Sequence, residues 1–370
     1  MGKERLFYKM LYYYVTMRGF LCRMLSMYMV VLLHVLGRGG VIEGCETFSL
    51  NYYVAWFLEV SAYCAVDVFA MISGYVMVEK KINGFKIIPL WLTVFFYSSL
   101  WTLLFYVVPL LTDFHKPTML EIVKGFLPVT TNQYWYFSSY FAMYFFIPYL
   151  NILIDSIEQK VHKKLCVTIV AFFSLLPLIN LNFVDVFCLK LGYSTLWLAS
   201  LYILGAYLKK YPLALSKKKA FLLYVLSVLL IWLSKYVSHM FISIIFKRES
   251  ELNVFVSYTS VFVVMSAIAL ISLFSRINVV GKKVIMYVSA ISFSVYLIHT
   301  NRFVYVYVLK NQFISFGSES PLVLVMSVVF TSLLIFIGCL CIDSIRYALF
   351  KFMKVDRLPR LLISVFQGKH

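Results

Sequence analysis

Two polar side chains, Arg23 and His34, interrupt the apolar stretch CRMLSMYMVVLLHV at residues 22–35. They are eleven positions apart, and a helix turns about 1100° over that distance, only about 20° past three full turns. Both side chains therefore lie on one helix face, about 16 Å apart along its axis. Imidazole titrates near neutral pH and can act as a general base. The pair predicts a polar pathway, although Arg23 alone fits an interfacial anchor and His34 alone a packing histidine.

The next apolar segment carries two acids, Glu59 and Asp67, on one stripe with Tyr63. Two carboxyl groups in one spanning helix are costly if they face lipid. Glu59 is expected at the depth of His34, where it could orient the imidazole. Asp67 is expected nearer the middle, facing the space between His34 and Arg23. Helix–helix hydrogen bonds are the alternative for both acids.

A second histidine, His299, lies about fifteen residues into a later apolar segment. At 1.5 Å per residue this places it level with His34, which predicts a cavity shared by the two histidines. Arg302 lies one turn further along and could meet either an anionic substrate or a lipid head group.

Tyrosines recur every fourth residue at Tyr136, Tyr140 and Tyr144. Such a stripe suits a wall of a sugar-binding site, and Tyr136 and Tyr140 are candidate substrate contacts. An interfacial aromatic belt with ordinary packing is an equal interpretation.

The elements that must position these residues are membrane-spanning helices. The chain has 370 residues, of which 62% are hydrophobic and 14% charged. This composition predicts an all-α, polytopic membrane bundle. Ten apolar segments are candidate spans: 20–38, 54–78, 87–111, 134–154, 165–184, 194–208, 219–240, 253–274, 284–308 and 321–345. The predicted organisation is a segment 1–19, a transmembrane domain 20–345 and a basic tail 346–370.

Lysine and arginine predict the orientation. With the N-terminus in the cytoplasm, the inner segments hold 24 of these residues and the outer segments 7. Short basic clusters between apolar runs are typical of cytoplasmic loops beside anionic lipid. Both termini are therefore expected in the cytoplasm, and the net charge of +18 is assigned to membrane lipid rather than to nucleic acid.

Motifs of other enzyme classes are missing from the sequence, including HExxH, GxSxG, the Walker loop and GxGxxG. The seven cysteines form no CxxC pair, so no metal site is predicted. Cys45 and Cys188 fall in predicted outer loops, and their pairing stays open.

The chain resembles the acyltransferase 3 family of membrane acyltransferases, in particular the bacterial branch that O-acetylates cell-surface polysaccharide. The likeness begins with Arg23 and His34 and continues, in order, through VDVFAMISGYVM, FKIIPLWLTVFFYSSL, YWYFSSYFAMYFFIPYLNILI, SLYILGAYLKKYP and SFSVYLIHT. It covers roughly residues 18 to 345.

The resemblance implies transfer of an acyl group, usually acetyl, from cytoplasmic acyl-CoA to a glycan or its lipid-linked precursor. It implies a catalytic role for His34, with Arg23 in the same motif, Ser73 and Gly74 in the second motif, and His299 in the late Tyr-Leu-Ile-His block. Many members carry an arginine-rich segment after Ser-Gly-Tyr. This chain has EKKINGFKIIP there, so the lysines would contact the CoA phosphates as point charges. These candidate cofactor-binding lysines are Lys80, Lys81 and Lys86.

His34 is expected either to deprotonate the sugar hydroxyl or to carry the acyl group itself. Arg23 would hold a CoA phosphate near the cytosol, with the pantetheine arm spanning the gap to His34. Two other functions compete: an exporter or flippase for glycans or lipid-linked sugars, and a polysaccharide polymerase, which the short outer loops disfavour. The expected location is the bacterial inner membrane.

Overall fold

The computed structural model describes residues 2–108, 117–179, 185–247, 253, 255–277 and 282–366, without the side chains of 2–17 and a few others. No strand occurs in these ranges, which agrees with the all-α prediction. The helices are α1 Gly2–Leu36, α2 Leu50–Ala62, α3 Ala65–Met77, α4 Ile88–Val107, α5 Met119–Phe126, α6 Trp135–Ser156, α7 Gln159–Val170, α8 Thr195–Lys210, α9 Lys217–Phe246, α10 Val261–Phe274, α11 Lys282–His299, α12 Pro321–Phe352 and α13 Leu358–Phe366.

Seven helical segments in the described ranges are long and apolar enough to cross a membrane, or eight if a bent pair after residue 282 is one span. The predicted count of ten is therefore not confirmed. The two remaining predicted spans correspond to α8, with 16 residues, and α10, with 14. Most of α8 is buried among other helices, and a buried helix need not match the thickness of the bilayer. Some predicted positions lie outside the described residues. They are positions 109–111, 180–184 and 254 of the predicted spans and the predicted outer-loop residues Lys116 and Arg248.

The ninth predicted span, 284–308, is not one straight helix. α11 ends at His299, and a π-helical turn follows at Val304–Leu309. The two segments are bent by 74°. Asn301 explains the break, because its side-chain oxygen accepts from the Phe303 amide at 3.1 Å. A short polar side chain that bonds its own backbone competes with helical hydrogen bonds.

The start of the α1 span and the end of α12 lie at the same end of the bundle. A Cβ on Gly19 would meet Val76, near the end of α3, at 3.2 Å. Arg346 of α12 lines a cavity with Lys86, which follows α3. We call this the Lys86 end and the opposite one the Arg302 end. Which membrane face each end occupies stays a prediction.

The predicted start of the basic tail, residue 346, lies inside a long helix, because α12 runs without interruption from Pro321 to Phe352. The boundary itself stays a prediction. α13 then packs against α4 and the turn that precedes α4. The proposed segment 1–19 is likewise continuous with the first span, since both belong to α1.

Close approach of α3 and α8 depends on two glycines. A Cβ on Gly74 would lie 2.0 Å from the Tyr202 carbonyl oxygen, and one on Gly205 would lie 1.9 Å from the Met71 carbonyl oxygen. Both distances are far inside van der Waals contact, so the helix backbones touch there. Small residues permit such contact between membrane helices. The Ser73-Gly74 motif thus has a packing role in this fold.

We predict that Gly205→Ala destabilises the protein, because α3 and α8 must separate to admit the methyl group. Overpacking of this kind costs about 1–3 kcal/mol. The measurement is the thermal stability of purified protein in detergent. Gly338→Ala in α12 is the control, since a Cβ there meets nothing within 4 Å and alanine favours helix. Equal stability of the two variants would contradict the prediction.

Candidate active site

Two imidazoles from different helices meet at the centre of the site. The Nδ1 atom of His34 lies 2.8 Å from the Nε2 atom of His299. This contact agrees with the prediction that the two histidines lie at one depth, but of the two only His34 lines a cavity. His299 is buried, while His34 is partly buried.

The hydrogen bonds define the tautomer of each ring. His299 Nδ1 lies 2.5 Å from the Val295 carbonyl oxygen. A carbonyl only accepts, so this nitrogen carries the proton and, in a neutral ring, Nε2 of His299 is an acceptor. His34 must then donate from Nδ1, which leaves the lone pair on its Nε2. No hydrogen bond within the described part of the chain occupies that atom, so His34 presents an available base.

The backbone holds both rings of this His34–His299 pair, which we call the dyad. His34 lies in the last turn of α1, and the following loop is tied to the segment after the π-helical turn. Asn311 donates its amide to the Arg38 carbonyl at 3.0 Å, and Phe313 donates to the Gly39 carbonyl at 2.8 Å. The dyad is thus built where α1 and α11 both end, against rigidly paired loops.

Three cavities follow one another past the dyad. The first, which we call the loop cavity, has a volume of about 470 Å³ and opens at the Arg302 end; its lining includes Lys124, Asn132, Gln133 and Arg302. The second, the neck, has a volume of about 40 Å³ and is mainly apolar; its lining includes Met27, Phe69 and Tyr136. The third, the basic cavity, has a volume of about 440 Å³ and lies at the Lys86 end; its lining includes Lys86, Arg346 and Lys351. His34 lines both the loop cavity and the neck, and Phe293 lines both the neck and the basic cavity. His34 therefore borders two spaces of different chemistry, and the neck shares the Phe293 side chain with the basic cavity as part of its wall.

The basic cavity contains cations that sequence analysis did not assign to the site. Lys86, one of the lysines expected to contact the donor, lines it together with Arg346 and Lys351 of α12. Both α12 residues fall in the predicted basic tail 346–370, because the sequence offers no sign that the last apolar helix continues past residue 345. Lys80 and Lys81 do not belong to this lining.

Arg346 is already committed to structural contacts. It forms two bonds to the buried Asp343 carboxylate, at 2.6 and 2.8 Å. Tyr97 donates to the same carboxylate at 2.7 Å. Removing one partner would leave a buried charge unpaired. Lys86 and Lys351 are consequently the cations of this cavity that are more accessible to a ligand.

Arg23 lies beside the neck. Its guanidinium carbon is 5.2 Å from the centroid of the Phe69 ring, which lines the neck. Its Nε atom is buried and has no hydrogen-bond partner among the described residues. Arg23 does not line the basic cavity, and its role in binding a CoA phosphate stays a prediction.

The structure shows other contacts for the two acids than the ones proposed from their depth. The expected position of Glu59, bonded to His34, is taken by His299, because α11 ends level with the imidazole. Glu59 instead interacts with Lys235 of α9 and with Tyr63. Asp67 is fully buried and accepts from the Trp197 indole at 3.2 Å. For Asp67 the helix–helix bond that was the alternative is the one observed.

Sequence analysis missed Lys235, a fully buried cation in the membrane-spanning part of α9. Its ammonium lies 3.5 Å from the centroid of a Trp56 ring and 2.5 Å from the Asn253 side-chain oxygen. A charged residue in an apolar span is itself a signal. The orientation prediction uses only lysines and arginines of the segments between spans, so it does not include Lys235.

Two of the four candidate substrate contacts line a cavity. Tyr136 lines the neck, and its hydroxyl is buried without a partner among the described residues. Arg302 lines the loop cavity and forms an ion pair with Glu121 at 2.8 Å.

The other two candidates make packing contacts. Tyr140 contacts the Met77 sulfur at 3.7 Å. Ser73, in the packed motif of α3, is buried and donates its hydroxyl to a carbonyl of its own helix.

The cysteines that could have paired are both free in the structure, with Cys45 buried and Cys188 exposed. An inter-loop disulfide is therefore not part of this fold.

A comparison with protein families matches the acyltransferase domain of the acyltransferase 3 family over residues 21–343. Comparisons with curated proteins and with solved structures give no match. The family match begins just before Arg23 and includes every residue of the dyad, the neck and the loop cavity. It ends just before Arg346.

Proposed function

The chain belongs to the acyltransferase 3 family, and from this we propose that it is a membrane O-acyltransferase acting on a cell-surface polysaccharide or its lipid-linked precursor. The acyl group is acetyl, and the donor is cytoplasmic acyl-CoA. The protein itself is placed in a bacterial inner membrane. One observation carries the proposal: His34 lines both the neck and the loop cavity, and its Nε2 has no hydrogen-bond partner among the described residues. A base in that position can meet a donor from one side and an acceptor from the other.

The proposed reaction follows from the tautomer of the dyad. Nε2 of His34 removes the proton of the acceptor hydroxyl as its oxygen attacks the thioester carbonyl. The carbon–sulfur bond then breaks, and the protonated imidazole returns the proton to the CoA sulfur. The His299 ring holds His34 in the required tautomer and accepts a hydrogen bond from it throughout. The products are the glycan ester and CoA, with no net proton released.

A transition-state donor is also available in the neck. Negative charge grows on the thioester oxygen during attack, and a preorganised hydroxyl can stabilise it. The buried Tyr136 hydroxyl lacks a partner within the described residues and lines the neck together with His34. We assign Tyr136 this role. Attack by His34 itself, giving an acyl-imidazole, uses the same atoms and remains the second mechanism.

The donor is proposed to enter at the Lys86 end. The basic cavity has room for a polar ligand, and ligand sites commonly have volumes of roughly 300–1,000 Å³. Lys86 and Lys351 would contact the nucleotide phosphates there, while the thinner pantetheine arm passes Phe293 into the neck. The Lys86 end would then face the cytoplasm. This agrees with the excess of basic residues in the predicted inner segments.

Arg23→Gln is expected to raise the KM for acetyl-CoA about 10-fold, because a charge-assisted contact to the donor is lost. The KM for the acceptor should change little. Steady-state kinetics on purified protein measures both constants. Lys209→Gln serves as the control, since Lys209 pairs with Glu79 at 3.4 Å outside the three cavities. An increase in acceptor KM alone would exclude Arg23 from the donor site.

An exporter is the competing function, and the neck argues against it. A space of about 40 Å³ holds roughly three water molecules, which is comparable to an acetyl group and far below a sugar ring. The deciding experiment incubates membranes with acetyl-labelled acetyl-CoA. Label in glycan that requires the protein supports acyl transfer. Glycan translocation without any label incorporation would instead support the exporter.

A further inference from the structure

The loop cavity has a net positive lining. Two of its side chains are cations, Lys124 and Arg302, and no carboxylate is among the described residues that line it. Glu121 pairs with Arg302 at 2.8 Å. That pair neutralises one cation and leaves the other. Glu59 of α2 interacts with Lys235 and so has its own counter-charge.

Among the residues that the structure describes, none pairs with the ammonium group of Lys124. The residue lies in the last turn of α5 and is only partly exposed. Within the described residues its side chain forms no hydrogen bond or ion pair, and its carbonyl accepts from the Thr131 hydroxyl at 3.1 Å. The turn that follows is thereby anchored to α5. A cation held at the wall of a concave site is a ready partner for an anion.

The same turn presents two free amide groups. Asn132 and Gln133 line the cavity, and neither side chain has a hydrogen-bond partner in the described part of the protein. Asn132 has φ 53°, in the left-handed region. Strained residues of this kind are concentrated at ligand-binding segments. Amides supply both donors and acceptors, which suits the hydroxyl groups of a saccharide.

Two aromatic rings line the same cavity. Trp135 and Tyr193 have centroids 4.3 Å apart and are tilted by 49° to each other. Aromatic faces are negative at the ring centre and bind the weakly positive C–H face of a sugar. A sugar packed on either ring would share the cavity with the His34 imidazole and with Lys124.

From these features we infer that the loop cavity takes an acidic saccharide, whose single anionic group contacts Lys124 while a nearby hydroxyl reaches His34. The inference rests on the proposed function, because it specifies the acceptor class for that reaction. The anionic group is a carboxylate, as in a uronic acid, or a phosphate. A neutral glycan would leave Lys124 unpaired in a desolvated complex, which disfavours its binding.

The test compares acceptors with and without anionic groups. A galacturonic acid trisaccharide, its methyl ester and a phosphate-bearing oligosaccharide are offered to the purified protein with acetyl-CoA. Binding of the same three probes is measured by calorimetry without donor. For Lys124→Gln we expect about a 10-fold loss of affinity for the acidic probes and little change for the ester. Lys310→Gln, an exposed lysine outside the cavity lining, should change neither.

The outcomes separate this inference from the proposed function. Transfer to the ester as efficient as transfer to the acid would overturn the inference and leave the acyltransferase intact. Lys124-dependent binding of acidic probes without any transfer would support the acidic site and contradict the reaction. Equal loss of all probes in Lys124→Gln would show a structural effect and also overturn the inference. Tighter binding of the phosphate probe than of the uronate would identify phosphate as the anion.

Discussion

Replacing His34 by alanine is expected to lower the rate of acyl transfer about 100- to 10,000-fold, the range that a positioned general base contributes. The reason is that His34, which lines both the neck and the loop cavity, acts as the general base through Nε2 in the proposed mechanism. The measurement is transfer of labelled acetyl from acetyl-CoA to glycan by purified protein. Protein amount and monodispersity are checked first, because the substitution also removes the partner of a buried ring.

A matched control exists in α9. His239 stacks on Phe48 with ring centroids 3.5 Å apart and contacts the Tyr53 hydroxyl at 2.9 Å. It is a partly buried histidine that lines none of the three cavities. His239→Ala should therefore keep transfer near the wild-type rate. Wild-type activity in His34→Ala would refute the mechanism.

The same variant distinguishes the two mechanisms for His34. If the imidazole carries the acyl group, labelled donor without acceptor should leave label on the protein after a rapid quench. That label should be absent in His34→Ala. If the imidazole acts only as a base, neither protein is labelled, and transfer still depends on His34. Both results are obtained from one preparation.

Sequence reasoning placed the two histidines together because spanning helices have a regular rise. Counting 1.5 Å per residue along two neighbouring helices sets relative depth well, and His34 and His299 do meet. The same arithmetic failed for Glu59, since depth says nothing about which face of a neighbouring helix is turned inward. It also gave no warning of the break at Asn301, which depends on one side chain bonding its own backbone.

The basic cavity was out of reach of sequence reasoning for a different reason. Lys86 could be assigned from its place after the Ser-Gly-Tyr motif, but Lys351 approaches it only because α12 extends past the apolar segment. Hydropathy predicts where an apolar segment ends, but the helix that contains this segment can continue further. The close contact at Gly74 and Gly205 is likewise a property of two helices together. Either helix alone gives no sign of it.

His299 provides the second large effect, as a positioning residue. Its Nε2 accepts the Nδ1 proton of His34, so removing the acceptor frees the imidazole to turn or to change tautomer. Loss of such an orienting partner typically costs about 10- to 100-fold. We expect His299→Leu to lower kcat by this amount, with little change in KM for either substrate.

The conservative variant His299→Gln separates positioning from simple damage to the fold. A glutamine oxygen can accept from His34 where leucine cannot, so this variant should recover much of the lost kcat. Nitrogen NMR of protein with labelled histidine gives an independent readout. In the wild type and His299→Gln, His34 should carry its proton on Nδ1, whereas in His299→Leu the Nε2 tautomer should gain population. An unchanged tautomer in His299→Leu, or equal activity of the two variants, would mean that the hydrogen bond between the rings does not set the chemistry of His34.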